Sequence, residues 1–187
     1  MFSIINEALL KGGQPVDDAF YLLMDDIDQE SCRDVVSWIL SNNYAEKPPE
    51  ILNLLICTPG GNLSSAFAVV DVMRGSHIPV RTIGLGEISS AGLLIFMSGE
   101  KGERILTPNT SVMSHQFAWA NHGKYHELMA TVKEYNHIQE RLLNHYEKCT
   151  KLKRKDIVEK LLIPSDVWLS PEQAVKYGIA DRVKELK

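Results

Sequence analysis

Val80-Arg81-Thr82-Ile83-Gly84-Leu85-Gly86-Glu87-Ile88-Ser89-Ser90-Ala91-Gly92 is the stretch on which the fold turns. Val80 to Leu85 is an apolar run of strand length, Gly86 breaks it, and a helix is expected from about Ser90 to Met97. The same alternation extends to both sides. Phe20 to Met24 and Ile51 to Cys57 read as earlier strands, with a helix from Gln29 to Ser41 between them. Thr58-Pro59-Gly60-Gly61 is a tight turn, after which Asn62 is an N-cap for a helix reaching about Arg74. Short strands are expected near Arg104–Leu106 and Ser111–Met113. Strand, helix, strand, helix at these spacings predicts βαβ units, a parallel sheet and right-handed crossovers.

Both ends carry further signals. Ile4 to Lys11 reads as a short amphipathic helix closed by Gly12-Gly13. Near the other end Ser170-Pro171-Glu172-Gln173 joins a capping box to proline at the first helical position, with Gly178 as its C′ residue. Ala180 to Val183 is expected to be a last strand. The segment from Lys124 to about Leu152 has no proline or glycine and places Leu128, Val132, Tyr135, Leu142 and Tyr146 at helical spacing. As one helix it would run about 43 Å at about 1.5 Å per residue. A domain of this size has a radius of gyration of only about 16 Å. The helix must therefore cross the domain or project from it, and a projecting apolar stripe calls for self-association.

The 187 residues suit one domain with its own core. A net charge of −4 leaves no basic field for nucleic acid or an anionic membrane. No apolar run approaches the roughly 20 residues of a membrane span. Met1 to Glu7 lacks the basic start of a signal peptide. Three cysteines, Cys32, Cys57 and Cys149, with no close pairing fit free thiols in a reducing compartment. The cytoplasm is the expected location, or an organelle stroma or matrix after processing.

Several residues could do chemistry. Gly60-Gly61, at a strand-to-helix turn, can present backbone N–H groups to an oxyanion, or can simply turn the chain. Ser90 opens a helix after a buried strand, where a hydroxyl is either a nucleophile or a helix cap. Ala91 and Gly92 are expected to leave room for a substrate carbonyl. His115, at the end of a short strand, is a candidate general base. His122 and His126 stand at i, i+4, but no third ligand stands at a recognised metal-site spacing, so no metal is expected.

In this order and spacing the motifs resemble the ClpP family, the proteolytic subunits of the Clp protease. Ile56 to Gly61 is similar to the family's strand ending in Ser-Pro-Gly-Gly. Thr82 to Gly92 resembles its nucleophile segment. Gly99 to Arg104 followed by Pro108 to Gln116 resembles its approach to the catalytic histidine. Asp166-Val167-Trp168-Leu169-Ser170, with Glu172, Ala174, Tyr177-Gly178 and Asp181, is similar to its C-terminal signature. The resemblance runs from about Phe20 to Val183.

That resemblance implies an α/β, ClpP/crotonase-like spiral of ββα units with a protruding handle helix. The single domain 1–187 would divide into a head, 1–122 and 153–187, and a handle of about 124–152. It implies a serine endopeptidase that cuts unfolded polypeptides inside an oligomeric chamber through an acyl-enzyme. Ser90 would be the nucleophile, His115 the general base and Asp166 the residue that orients it, with Asp156 and Asp181 as rivals for the last role. Backbone N–H groups of Gly61 and Ala91 would form the oxyanion hole. No cofactor is implied, since ATP is used by a partner unfoldase of the Clp AAA+ class. The implied partners are further copies of the chain, in heptameric rings stacked in pairs as a tetradecamer, and related ClpP-type subunits in mixed rings.

The chain order Ser…His…Asp separates this sequence from an α/β-hydrolase, which would run Ser…Asp/Glu…His with Gly-x-Ser-x-Gly. A crotonase-like acyl-CoA enzyme would share the fold without the serine–histidine pair. A poorly active scaffold or regulatory subunit of a mixed ring is the alternative within the family. The sequence also departs from the family pattern. Only Met1-Phe2-Ser3 precede Ile4, so the axial loop and any propeptide are expected to be missing. Asn53 and Leu55 stand where the family presents aromatic side chains to the unfoldase, so docking is expected to be weakened or redirected. Phe117 to Gly123 replaces a proline and a glycine-rich strand that pairs with substrate.

Overall fold

The computed structural model describes residues 19–186. The helix expected over Ile4–Lys11 lies outside the described residues. The chain alternates as the sequence suggests: β1 (Phe20–Leu23), α1 (Gln29–Asn43), β2 (Leu52–Thr58), α2 (Leu63–Gly75), β3 (Val80–Ser89) and α3 (Ala91–Met97). Then follow β4 (Arg104–Leu106), β5 (Ser111–Ser114), α4 (Tyr125–Cys149), α5 (Arg154–Lys160), β6 (Val167–Leu169), α6 (Pro171–Tyr177) and β7 (Arg182–Val183). Strands β1-β2-β3-β4-β7 lie side by side, all parallel. Helices cover the sheet, and Ile39, Val69, Phe96, Ile56 and Ile83 are among the side chains sealed between them.

Gly86 does not end the third strand. It adopts φ +58° within β3, where the register with β2 slips between Ile56↔Gly84 and Thr58↔Ile88. Five residues of β3, Gly84 to Ile88, thus span the distance that three of β2, Ile56 to Thr58, span, a bulge that redirects the strand. Before the bulge Thr82–Gly84 pairs with β4, and after it Glu87–Ser89 pairs in parallel with β5. β6 then adds antiparallel to β5. The bulge lets one strand serve two neighbours in succession, and it raises the Ser89–Ser90 end onto a second level of the sheet.

The caps follow local chemistry. Asn62 accepts from Ser65 N at 2.9 Å, and Ser170 with Gln173 closes a capping box ahead of Pro171. Gly178 takes the left-handed conformation at φ +78°. Beside it a Cβ would meet the Lys151 backbone N at 2.8 Å, so no other residue fits. The last strand is shorter than Ala180–Val183, and Asp181 just ahead of it binds Arg104 through its side chain.

The long helix divides in two. From Ile138 onward its side chains Leu142, Leu143, His145 and Tyr146 are buried against the rest of the fold. Ahead of that point Tyr125, Leu128, Met129 and Val132 are exposed. Its 25 residues span about 37 Å, so half the helix packs and half projects.

Candidate active site

Ser90 sits between the end of β3 and the start of α3, with φ +54° and ψ −121°. It is the only non-glycine residue with positive φ among the described residues. Such a conformation costs on the order of 1–3 kcal/mol and persists only when its surroundings fix it. Here Ser90 N donates to Met113 O at 3.0 Å, Ser90 O accepts from Leu93 N at 3.1 Å, and every residue of α3 is buried. The helix-cap reading fails: the Ser90 side chain makes no cap hydrogen bond. Ser89 does not cap either, since its hydroxyl donates to Glu87 Oε1 at 2.7 Å.

Ser90 Oγ instead lies 2.7 Å from His115 Nε2. His115 follows β5 directly, and the β3–β5 pairing, Ser89↔Met113, brings it alongside. Asp166 arrives by register as well. β5 and β6 pair antiparallel with Ser114 opposite Val167, so the next residue on β5 faces the preceding one on β6. His115 Nδ1 is 3.5 Å from Asp166 Oδ1, inside ion-pair range and longer than a made hydrogen bond. Catalytic hydrogen bonds often tighten only when substrate is bound.

The rival aspartates are engaged elsewhere. Asp156 pairs with Lys160 at 2.6 Å on the exposed face of α5. Asp181 receives Arg104 Nε at 2.9 Å and Nη2 at 2.7 Å, together with the N–H groups of Gly102 and Arg104. Burial alone would push the Asp181 carboxyl up, but these donors outweigh it and hold it below the usual carboxylate range.

Gly60 and Gly61 close over the serine. The turn is held by Ile27 N donating to Gly60 O at 2.8 Å and Asn62 N donating to Ile27 O at 2.6 Å. Gly60 has φ +100°, and a Cβ there would stand 2.6 Å from Ser90 Cβ and 3.2 Å from Ala91 N. Backbone therefore passes next to the serine at a distance only glycine permits. Ala91 and Gly92 do not leave open space, contrary to expectation. Both are buried, and a Cβ on Gly92 would strike the Thr58 side chain, so small residues there let α3 pack on β2.

Sequence reasoning missed what holds the histidine strand. Ser114 Oγ donates to Leu161 O at 2.8 Å, and Gln116 Nε2 donates to Leu162 O at 2.7 Å. These bonds flank His115 and fasten it to the segment that leads from α5 into Asp166. Tyr146 of α4, fully buried, donates its hydroxyl to Ser114 Oγ at 2.7 Å. Burial raises that phenol to about 12, so it stays a donor.

The other candidates are not gathered. His122 and His126 lie on an exposed stretch, and no three His, Cys, Asp or Glu side chains are grouped as a metal site among the described residues. Cys32, Cys57 and Cys149 are free thiols. No helix among the described residues is long and apolar enough to cross a membrane. Asn53 is buried and satisfied. Its amide donates to Ala19 O at 3.3 Å and accepts from Arg81 Nη1 at 3.0 Å, while Arg81 pairs with Glu103 at 2.5 Å.

Comparison with known proteins places the chain among Clp protease relatives. A family model described as Clp protease matches residues 14–187. An ATP-dependent Clp protease proteolytic subunit of Deinococcus radiodurans is 30% identical over 157 residues, 84% of this chain and 76% of that one. A ClpP1 mutant from Listeria monocytogenes superposes with a TM-score of 0.80 at 26% identity, covering 91% of this chain and 93% of its own. The ClpP/crotonase-like α/β fold expected from the sequence is therefore the observed one.

Proposed function

We propose that this chain, which belongs to the Clp protease family and is a serine endopeptidase, cuts polypeptides with Ser90, His115 and Asp166. The observation that carries the assignment is the 2.7 Å contact between Ser90 Oγ and His115 Nε2, on a serine whose backbone is strained and whose hydroxyl caps nothing.

In this reading Ser90 Oγ attacks the scissile carbonyl while His115 Nε2 takes its proton. Asp166 accepts from His115 Nδ1–H, fixing the tautomer and stabilising the imidazolium. The tetrahedral oxyanion is held by the N–H groups of Gly61 and Ala91, a reading supported by the close approach of the neighbouring Gly60 to Ser90 and Ala91. His115 then protonates the leaving amine, and the acyl group stays on Ser90. A water, deprotonated by His115, attacks the ester and frees the enzyme. Activation of the serine by the imidazole makes a metal or cofactor unnecessary for these steps.

The division into a head (1–122 and 153–187) and a handle (about 124–152) belongs to the same proposal. The exposed Tyr125, Leu128, Met129 and Val132 on the projecting half of α4 support self-association there. Heptameric rings stacked in pairs are the assembly we assign, with cytoplasmic location and a Clp-class unfoldase that uses ATP and delivers unfolded chains. Mixed rings with a related subunit are compatible with this surface. The polar Asn53–Arg81–Glu103 network supports altered unfoldase docking, because it replaces an apolar wall with bonded charges.

Hydrolysis of a fluorescently labelled unfolded polypeptide tests the assignment. The purified protein should release fluorescence, and Ser90→Ala should lose at least about 10³-fold of that rate. Equal rates in the two proteins would refute it.

A further inference from the structure

The apolar cavity beside Ser90 is small. Leu63, Leu94, Phe117, Leu142 and Tyr146 wall it, and Ser90 and His115 complete the lining. It offers about 10 Å³ to the centre of a water-sized sphere, and on that measure one water needs roughly 10–15 Å³. A methyl group fits such a space. An isobutyl or benzyl group enters only if a wall moves.

Most of the walls are fixed. Leu94, Leu142 and Tyr146 are buried in α3 and α4, and Tyr146 is also held through its hydroxyl. Leu63 is half-buried but held as the first residue of α2, whereas Phe117 is half-buried on the irregular segment between β5 and α4. Its ring stacks on Tyr135 with centroids 5.4 Å apart and planes 28° apart. Trp119 packs on the same tyrosine at 5.3 Å, and Asn121 bonds Thr131 at 2.6 Å. The segment is thus laid along the projecting half of α4, and that contact sets where the Phe117 ring stands.

Resting on the serine-peptidase reading above, we propose that Phe117 is a specificity-determining residue of this site. It restricts the side chain preceding the scissile bond to glycine or alanine, and Tyr135 positions it to do so.

Peptidyl phosphonates that differ only in carrying alanine or leucine at that position test this, with Ser90 modification followed by mass spectrometry. The wild-type protein should label at least about tenfold faster with the alanine probe, a discrimination that added carbons in a filled pocket readily produce. Phe117→Ala should reverse the preference. Tyr135→Ala, which removes no residue of the pocket lining and only frees the Phe117 ring, should shift it in the same direction by less, so the test survives if Phe117→Ala does not fold. Equal rates in the wild-type protein, or ratios unmoved in the variants that fold, would overturn the proposal. A small fluorophosphonate separates the remaining failures. If it labels Ser90 while neither peptidyl probe does, the pocket assignment is wrong and the serine-peptidase reading stands. If nothing labels Ser90, that reading fails and this proposal falls with it.

Discussion

Asp166 and Asp181 offer a paired test, because the structure gives them opposite duties. Asp181 is anchored at the end of β7 by a bidentate bond to Arg104, whose side chain is only 5% exposed. Arg104 Nη1 also donates to Cys149 O at 2.6 Å, so the pair ties the end of α4 to the sheet. Asp181→Ala would leave a buried guanidinium without its counter-charge, a change that costs 3–5 kcal/mol in fully buried pairs. With the Asp181 side chain 21% exposed, the lower end, about 3 kcal/mol, applies. At about 2–4 °C per kcal/mol for a chain of this size, Tm should fall by about 6–12 °C. The pH dependence has a definite sign. The folded carboxyl titrates below its unfolded value, so its contribution is complete above that unfolded value and is lost as pH falls through the folded one. Asp181→Ala should therefore flatten the acid limb of the stability curve. Asp166, 59% exposed and in contact with His115, should behave in the reverse way. Asp166→Ala should hold stability within about 0.5 kcal/mol and lower peptidase turnover by about 10⁴-fold. Thermal unfolding and peptide hydrolysis on both variants read the two quantities. The reasoning is refuted if Asp166→Ala unfolds early, or if Asp181→Ala keeps the wild-type Tm.

Three other changes probe the frame around the site. Gly60→Ala puts a methyl 2.6 Å from Ser90 Cβ and 2.7 Å from Ser89 O at a positive φ; activity should fall by at least about 10²-fold if the turn carries an oxyanion donor, measured as kcat on a short peptide. Tyr146→Phe removes the hydroxyl that donates to Ser114 Oγ, and urea unfolding should show a loss of about 0.5–1.5 kcal/mol. His145 is buried, with Nδ1 accepting from Arg74 and Nε2 donating to Leu94 O, and burial followed by the Arg74 charge lowers it to about 4. The unfolded histidine takes up its proton near pH 6.5 and the folded one only near 4, so stability should decline across that interval, by about 3 kcal/mol in all; His145→Gln should remove the decline in a pH series of denaturant midpoints.

What the sequence made legible was local or short-range. Asn62, the Ser170-Pro171 box and Gly178 could be read because their bonds reach only a few residues along the chain. The histidine and serine were legible as strand-end residues, and Asp166 through the likeness of the Asp166–Ser170 stretch to the family's C-terminal signature. The extent of β3 was not legible. Gly86 looks like a breaker until β5, far along the chain, supplies a partner for the residues beyond it. Helix α5 went unseen because its seven residues bury only Ile157, too little for a period to show. The Ser114–Leu161 and Gln116–Leu162 bonds join residues 47 and 46 positions apart, and no local pattern announces them. The space beside Ala91 and Gly92 was misread because Thr58, which fills it, belongs to another strand.

Covalent labelling of Ser90 tests the central claim most directly. The purified protein is treated with a fluorophosphonate, digested and mapped by mass spectrometry, beside Ser90→Ala and His115→Ala. The account predicts one adduct, on the peptide containing Ser90, absent from Ser90→Ala and strongly slowed in His115→Ala. An adduct on another serine, or labelling of Ser90 at the same rate without His115, would contradict it.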